Sequence, residues 1–309
     1  MQHVYKLSDA QLSRPSIVTV GMFDGVHRGH QALIGRLVEA AHTSDRAAVV
    51  LTFFPHPDVV LKDIQGRYYL TTPEERAHLL GDLGVDLVVT HPFDQSVRQM
   101  RAIAFVERLQ THLKLSELWA TSNFALGYKR EGNMDFLRAQ GLEKGFAVKT
   151  VQLVADEDTH NVIASSRIRE ALLDGDVVTA AYLLGRPYQV EGRVVPGDKR
   201  GRQIGIPTAN IDVWPYQILP DNGVYACYAI LEGETRPAVT NIGIRPTFDG
   251  QVRTVETHLL DFDGDIYEKN LRLAFVERLR GEMKFNAIEA LVEQIRQDIA
   301  VARQILERG

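Results

Sequence analysis

The chain has 309 residues, 45% of them hydrophobic and 24% charged, which predicts a globular protein of about two domains. Its one cysteine, Cys227, excludes an intrachain disulfide and a cysteine-based zinc cluster. The net charge is −5, with 19 basic and 22 acidic residues up to Gly185 and 16 and 18 after it, so neither half has the basic excess typical of nucleic-acid binding.

The sequence also argues against export and membrane insertion. The first residues, MQHVYKLSDAQLSR, contain no apolar segment typical of a signal peptide, and no apolar run is long enough to span a bilayer. We therefore expect a cytoplasmic protein with neither nucleic acid nor a membrane as a partner.

Strand and helix patterns alternate through the first half. A β-branched run, Ser16–Val20, precedes a helical pattern over Arg28–His42 and a continuous apolar run over Ala47–Phe54. Further strands are predicted at Val85–Val89, Leu118–Ala120 and Ala147–Val154, and further helices at Pro73–Gly81, Arg101–Leu113, Met134–Gln140, Ser165–Leu173 and Val177–Leu184. This order is typical of an α/β domain with a parallel sheet.

The second half consists of short runs, most of them rich in valine, isoleucine, threonine and tyrosine and separated by glycine, proline or aspartate. These runs are Tyr188–Val195, Gly223–Leu231, Arg236–Ile242, Arg253–Leu260 and Leu271–Arg280. They predict an antiparallel sandwich or small barrel, against which an amphipathic helix over Asn286–Glu307 would pack. We place the domain boundary near Gly185–Pro187, giving domains of residues 1–185 and 186–309.

The run from Gly21 to His30 lies between the first predicted strand and helix. Ligands of open parallel sheets bind beyond the carboxyl ends of the strands, and the start of a helix favours anions. His27 and His30 bracket Gly29 there, which predicts a polyphosphate site. Zinc binding and plain surface histidines remain alternatives. The motifs GxGxxG and GxxxxGK[ST] are absent from the sequence.

A second phosphate candidate opens the helix predicted at Ser165. Hydroxyl and guanidinium groups at Ser165, Ser166 and Arg169 suit phosphate oxygens. An ordinary serine N-cap followed by solvated arginines is the alternative.

A third candidate is a glycine-rich loop in the second half. Gly197, Gly201 and Gly205 are spaced by four, and Pro207, Thr208 and Asn210 follow. Such a loop can lay backbone N–H groups along phosphates, and the oxygens of Thr208 and Asn210 suit Mg²⁺. In a strand these two side chains would face the same side. A simple glycine-rich hairpin is the alternative.

These motifs resemble those of one family along the whole chain. Gly21–His30 resembles the HxGH motif of nucleotidylyltransferases, and with Thr52–Pro57 (TFFPHP) and Ser165–Arg169 it resembles the FMN adenylyltransferase module of bacterial bifunctional riboflavin kinase/FAD synthetases. The segments that resemble riboflavin kinases are Gly205–Asn210 (GIPTAN), Asn241–Phe248 (NIGIRPTF), Val255–Phe262 (VETHLLDF) and Arg280–Phe285 (RGEMKF).

The resemblance implies roles for residues of the first domain. His27 and His30 would bind ATP phosphates and stabilise the transition state, while Ser165, Ser166 and Arg169 would contact the phosphates. Asn123 would lie near the nucleotide and the flavin. The other residues assigned to this ATP site are Gly21, Phe23, Asp24, Gly25 and Gly29.

The resemblance also implies roles in the second domain. Thr208 and Asn210 would bind Mg²⁺ and ATP phosphates, and Glu256 would be the general base that accepts the proton of the ribityl hydroxyl. The ATP loop would include Gly197, Gly201, Gly205 and Pro207. The residues assigned to the flavin or nucleotide side are Asn241, Gly243, Pro246, Thr247 and Arg280.

As a whole, the resemblance implies a Rossmann-like domain with a parallel sheet, then a small Greek-key β-barrel with a terminal helix. It implies riboflavin, FMN and ATP as substrates and Mg²⁺ as cofactor, and it leaves homo-oligomerisation open. Ala164, Thr121 and Leu126 depart from the usual motifs. They motivate one alternative, a riboflavin kinase whose first domain is a degenerate flavin- or nucleotide-binding regulatory module. A flavin-responsive regulatory protein with little turnover is another.

Overall fold

The structure is a computed structural model, and it describes residues 1–152, 162–197, 201, 204–247 and 250–308, with only the backbone of 246–247 and 250–252. The described residues fall into two compact units. The first contains Met1–Gln65 and Thr71–Ala164, and the second contains Gly66–Leu70 and the chain from Ser165 onward. Within these ranges, no helix is long and apolar enough to cross a membrane.

The first unit is built on a parallel sheet, as predicted. The described strands are β1 (Gln2–Val4), β2 (Ser16–Val20), β3 (Ala47–Phe54), β4 (Leu87–Pro92), β5 (Leu115–Thr121) and β6 (Ala147–Val151). Their order across the sheet is β1-β4-β3-β2-β5-β6, and each pair is parallel. The chain builds outward from β2 through β3 and β4, and then crosses to the other side of β2 to form β5. The gap between β2 and β5 is therefore the switch point at which sheets of this kind bind ligands.

Helices connect the strands of this sheet. They are α1 (Arg28–Thr43), α2 (Pro57–Leu61), α3 (Pro73–Asp82), α4 (Gln95–Arg98), α5 (Ala102–Leu113) and α6 (Met134–Lys144). All five residues of β2 and the first six of β3 are buried, as expected of strands that are covered on both faces.

The predicted end of the last of these helices was wrong. The sequence predicted that it stops at Gly141, but α6 continues to Lys144 and ends at Gly145, which has the left-handed backbone conformation of a helix C-cap. Gly141 is a glycine for a different reason: a Cβ there would lie 2.4 Å from the carbonyl oxygen of Phe146. The last residues of the strand predicted over Ala147–Val154 lie outside the described residues.

The second unit is a closed antiparallel barrel. Two helices, α7 (Ser165–Leu173) and α8 (Val177–Leu184), precede the described strands β7 (Tyr188–Val195), β8 (Ala209–Val213), β9 (Gly223–Leu231), β10 (Glu234–Thr247), β11 (Gly250–Leu259) and β12 (Asn270–Arg280). The strands close in the order β10-β11-β8-β7-β12-β9. Within that ring, β12-β9-β10-β11 has the 4-1-2-3 order of a Greek key, which confirms the predicted class.

The last helix, α9 (Ile288–Leu306), packs on the outside of the barrel. Side chains alternate along β9, so that Val224 and Ala226 point outward. They form a buried cluster with Ala302 and Leu306 of α9. Helix α9 therefore covers part of the outer face of β9 and its neighbours. The candidate site of the barrel lies on the same outer face.

Helices α7 and α8 belong to the second unit by their contacts. The backbone N–H of Asp221 donates to the carbonyl of Leu172 (2.8 Å), and the guanidinium of Arg278 donates to the carbonyl of Asp174 (3.1 Å). The predicted boundary near Gly185–Pro187 stays a prediction.

Candidate active sites

The loop after β2 makes a tight turn that carries the predicted phosphate residues. Phe23, Gly25 and Val26 all have positive φ values of 50°, 80° and 41°. Asp24 is 1% exposed, and its carboxylate accepts hydrogen bonds from the backbone N–H (3.2 Å) and hydroxyl (3.3 Å) of Thr71. Within this unit, Asp24 therefore fixes the loop through its hydrogen bonds with Thr71.

The turn brings His27 and His30 together at the start of α1. The two imidazole rings are stacked, with centroids 3.6 Å apart and planes at 16°. The backbone N–H of His30 donates to Nδ1 of His27 (3.3 Å), which makes His27 the N-cap of the helix. A Cβ on Gly29 would lie 3.2 Å from that Nδ1, so the glycine allows the ring to rest against the first helical turn.

His30 is held in a neutral state by its surroundings. Burial lowers its pKa well below 6.5, and the neighbouring His27 ring and the positive charge of Arg76 act in the same direction. Its Nδ1 atom is shielded from solvent, and among the described residues it has no hydrogen-bond partner. An anion placed beside this ring would favour the protonated form, so the site is suited to a phosphate.

Sequence reasoning missed Arg76, which supports the same loop from α3. Its side chain is 1% exposed, and Nη1 donates to the carbonyl of Met22 (3.0 Å), which also accepts from the Thr52 hydroxyl (2.9 Å). The signal was available, because Arg76 lies on the same helix face as buried Ala77 and Leu80. A charged residue within an apolar stripe is rarely buried without partners.

Asn123 lies at the neighbouring strand end. It follows β5 by two residues, and β5 pairs with β2 on the far side of the switch point. Its side chain is exposed, and its backbone carbonyl accepts a hydrogen bond from Arg130 (2.8 Å). Leu126, one of the motif departures, is instead buried in the core of this unit.

The serine–arginine motif begins α7 and belongs to the second unit. Ser165 is half-buried and Ser166 is exposed. The Arg169 guanidinium donates through Nε to the carbonyl of Tyr68 (2.8 Å) and lies 4.1 Å from the centre of the Tyr68 ring. That these residues share one phosphate site with His27 and His30 stays a prediction.

In the barrel, strand register places Glu256 between two amides. Glu256 of β11 pairs with Asn241 of β10 on one side and with Asn210 of β8 on the other. Directly paired residues of antiparallel strands face the same side, so the three side chains form a polar row on the outer face of the barrel. Within the described part of the chain, no group donates a hydrogen bond to the Glu256 carboxylate, which is thus available as a base.

Two described glycines of the glycine-rich segment, Gly197 and Gly201, approach Asn210 and Thr208 closely. A Cβ on Gly197 would be 2.0 Å from Nδ2 of Asn210, and one on Gly201 would be 2.2 Å from the carbonyl oxygen of Ile206 and 3.3 Å from the hydroxyl of Thr208. Only glycine fits at either position. Gly205 meets no such crowding, but its φ of 76° favours glycine. Asn210 lies in β8 and Thr208 immediately precedes this strand; that their oxygens point toward the same region stays a prediction.

Two cavities flank this region of the second unit. One, of about 500 Å³, lies on the outer face and has a polar wall with Glu256 and Asn241 and an apolar wall with Phe285, Leu291 and Ile295. The other, of about 320 Å³, is lined by Gly205, Pro207, Phe262 and Tyr267. Thr208 lines both cavities.

Of the remaining predicted barrel residues, Arg280 and Gly243 have described contacts. Arg280 lines the larger cavity, where its guanidinium binds both carboxylate oxygens of Asp298 on α9 at 2.8–3.1 Å. Gly243 is close to Glu282, because a Cβ there would be 2.7 Å from Oε1. The side chains of Pro246 and Thr247 lie outside the described residues.

The donor set fits a magnesium ion that also binds phosphate. Thr208 and Asn210 offer neutral oxygens, and the described residues contain no group of three or more histidine, cysteine or acidic side chains that could hold a metal alone. Mg²⁺ commonly takes few ligands from the protein and the rest from phosphates and water.

A parallel sheet with paired histidines at its switch point and a barrel whose carboxylate faces two amides define a two-domain transferase that uses nucleotides. Family models agree with each half: one described as FAD synthetase matches residues 9–167, and one described as riboflavin kinase matches residues 184–306. The chain belongs to the family of bifunctional riboflavin kinase/FMN adenylyltransferases, to which the following relatives are assigned.

Several relatives carry that description, among them the three that follow. The protein of Pseudomonas fluorescens is 37% identical over 94% of this chain and 93% of its own length, and that of Listeria monocytogenes is 37% identical over 91% and 90%. The protein of Escherichia coli K12 is 35% identical over 97% and 96%.

A solved structure supports the fold. A crystal structure described as a macrolide-efflux protein from Streptococcus pneumoniae matches with a TM-score of 0.85 and 30% identity, over 97% of this chain and 98% of that chain. Efflux is named only for the Streptococcus pneumoniae protein, and the likeness concerns the fold.

Proposed function

We propose that the chain makes FAD from riboflavin in two ATP-dependent steps. The barrel transfers the γ-phosphate of ATP to riboflavin and forms FMN. The first domain transfers the AMP part of a second ATP to FMN and releases pyrophosphate. The observation that carries the proposal is that each family-matched region holds a phosphate-directed cluster of its own: the stacked His27 and His30 in one, and Glu256 beside Thr208 and Asn210 in the other.

In the kinase step, Glu256 would act as the general base. It accepts the proton of the ribityl hydroxyl as the oxygen attacks the γ-phosphorus of ATP and the bond to the β-phosphate oxygen breaks. The larger cavity would suit the flat flavin ring because apolar Phe285, Leu291 and Ile295 line it together with Glu256. The glycine loop and the smaller cavity would take ATP.

Thr208 and Asn210 would hold Mg²⁺ together with the ATP phosphates. The ion would supply positive charge to the transferring phosphoryl group. The close approach of Gly197 and Gly201 to these two side chains fixes their orientation toward the loop.

In the adenylyl-transfer step, no protein base is needed. A phosphate oxygen of FMN is already ionised and attacks the α-phosphorus of ATP, while the bond to the departing pyrophosphate breaks. His27, His30 and the N–H groups at the start of α1 would stabilise the added negative charge. Asn123, Ser165, Ser166 and Arg169 would align the substrates, and Gly21, Phe23, Gly25 and Gly29 would shape the loop.

We further propose that the two activities divide near Gly185 and that the protein works in the cytoplasm. The residues before Gly185 would include the motif at Ser165–Arg169, which the FAD synthetase match contains in part. The lone thiol needs no oxidising compartment, because Cys227 is buried and burial raises its pKa to about 12.

The function is tested by incubating the pure protein with riboflavin, ATP and Mg²⁺ and separating riboflavin, FMN and FAD by chromatography. We expect FMN first and FAD with pyrophosphate after it. A second incubation starts from FMN. If it yields neither FAD nor pyrophosphate while riboflavin is still converted to FMN, the first domain is a regulatory module and the bifunctional proposal fails.

A further inference from the structure

Strand β8, which contains the proposed magnesium ligand Asn210 and directly follows the other, Thr208, has few backbone pairs where it begins. Two residue pairs join it to β11, namely Asn210 with Glu256 and Ala209 with Thr257, and its pairing with β7 ends at Asn210. The ladder cannot continue regularly past Thr208, because Pro207 has no N–H to donate. Backbone pairing alone therefore leaves Pro207 and Thr208 without support within the described strands.

The side chain of His258 supplies that missing support. Its Nδ1 atom lies 2.7 Å from the carbonyl oxygen of Pro207. A carbonyl only accepts hydrogen bonds, so Nδ1 carries the proton and donates. His258 stands on a well-paired part of β11, where it is matched with Val239 in the ten-residue register between β10 and β11. The bond thus connects Pro207, which lies outside the paired part of β8, to a part of β11 that is continuously paired with β10.

The bond links the two parts of the proposed reaction centre. His258 and Glu256 are two apart on β11, so they share a face, and both line the larger cavity. Thr208 directly follows the bonded carbonyl of Pro207. The orientation of that peptide sets where the Thr208 hydroxyl stands relative to the Glu256 carboxylate.

We propose that His258 is a positioning residue of the kinase step. Its Nδ1–H holds Pro207 and Thr208 in register with Glu256, so that the nucleotide with its metal stands at a fixed distance from the base. This inference rests on the function proposed above. The ring acts through Thr208, because its Nδ1–H donates to the carbonyl of the preceding residue, Pro207.

The test uses three variants of the full-length protein that differ in whether residue 258 can donate a hydrogen bond. In His258→Asn the side-chain NH₂ can take the position of Nδ1 and still donate. His258→Leu has a similar size and no donor. His258→Asp has the shape of asparagine but offers only acceptors to the Pro207 carbonyl.

We expect the asparagine variant to keep the wild-type KM for ATP and the wild-type Mg²⁺ requirement within about threefold. In the leucine and aspartate variants, the KM for ATP and the Mg²⁺ requirement should each rise by about tenfold, which is the scale of one lost hydrogen bond. The KM for riboflavin should stay within about twofold of the wild-type value. A role in bulk stability alone would not separate ATP and Mg²⁺ from riboflavin in this way.

Two measurements on the same samples report on folding. These are the thermal unfolding midpoint and the rate of FAD formation from added FMN, which uses the other domain's residues. If the leucine variant does not fold, the KM for ATP is compared between the asparagine and aspartate variants, which are equal in shape.

The proposal is overturned if asparagine and aspartate have the same KM for ATP, or if riboflavin is the substrate whose KM rises. The second result would make His258 a riboflavin contact. Absence of riboflavin phosphorylation by the wild-type protein would instead reject the kinase function itself, so the two failures are distinguishable.

Discussion

Arg76 and Thr52 show how single buried residues shape the histidine loop. Both donate to the carbonyl of Met22, one from α3 and one from β3, so the loop is fixed from two sides. Loss of Arg76 would still leave Thr52 as a donor, but a hydrogen bond from a charged group contributes up to about 3 kcal/mol, so this contact is a sensitive point.

We predict that Arg76→Met lowers the rate of FAD formation from FMN by at least about tenfold and destabilises the protein by about 1–3 kcal/mol, because it removes the guanidinium from the Met22 carbonyl. Riboflavin phosphorylation should stay at the wild-type rate. Urea unfolding and the two activity assays measure these quantities. Arg76→Lys is the matched control, since it keeps a donor; equal losses in both variants would show that the hydrogen bond is not the cause.

A second residue-level prediction concerns pH. The pKa of His30 is lowered in the folded protein, so below about pH 6.5 the unfolded chain binds a proton that the folded chain does not. The contribution of His30 to the free energy of unfolding therefore falls as the pH drops below about 6.5 and is restored above that pH. Thermal unfolding midpoints between pH 5 and 7.5 should fall more steeply on acidification in the wild type than in His30→Gln.

The same experiment with added ATP tests the anion site. An anion beside His30 favours its protonated form, so ATP should stabilise the wild type more at pH 5.5 than at pH 7.5. An ATP effect that does not depend on pH in the wild type, or depends on it equally in His30→Gln, would contradict this account.

At the scale of elements, an ion pair adds to the apolar contacts that hold α9 on the barrel. Asp298 is 5% exposed and accepts from the Arg280 guanidinium at the end of β12, and Gln294 donates to it as well (3.0 Å). Since Arg280 also lines the larger cavity, this contact couples the position of the helix to the wall of the proposed flavin site.

Asp298→Asn should leave the Arg280 charge largely buried and without its partner. We expect a loss of about 3–5 kcal/mol in unfolding free energy and a higher KM for riboflavin, with little change in FAD formation from FMN. Gln294→Ala removes only a neutral donor from the same carboxylate and should cost about 1 kcal/mol. Denaturant unfolding of both variants provides the comparison, and equal effects would mean that charge is not what matters here.

The elements also show what a sequence can and cannot reveal. Strands such as Ala47–Phe54 were predicted to the residue because their apolar runs are continuous, and His27 and His30 were paired correctly because their spacing is local. Strand β8 was not predicted as an element, since glycine and proline before it hide its start. The row of Asn210, Glu256 and Asn241 depends on register between strands that are distant in sequence, which local patterns do not encode.

Arg76 and His258 illustrate the same limit at the site. The role of each depends on a backbone carbonyl of a distant segment, Met22 in one case and Pro207 in the other. Backbone carbonyls are present at every residue, so the sequence gives no sign of which one is used. The sequence could therefore indicate that Arg76 is buried, but not which backbone carbonyl Arg76 or His258 contacts.

At the scale of the whole molecule, two clusters on two units predict two separable activities. The double variant His27→Ala/His30→Ala should abolish FAD formation, which loses its phosphate contacts, and leave FMN formation unchanged. Glu256→Gln should do the reverse, with a fall of about 10²–10⁴ in riboflavin phosphorylation, the typical contribution of a general base. Both reactions are followed by chromatography of the flavins. A variant that loses both activities while it remains folded would contradict independent sites.

The two units also differ in how they are protected from assembling with other chains. The barrel closes on itself, so its described strands pair on both sides, whereas the parallel sheet ends at β1 and β6. An open edge strand can template pairing with a second chain. Strand β6 is mostly exposed but carries Lys149, whose ammonium group lies 4.0 Å from the Trp119 ring. Such a charge discourages strand addition, and Lys149→Val should make the protein more prone to aggregate when it refolds at high concentration.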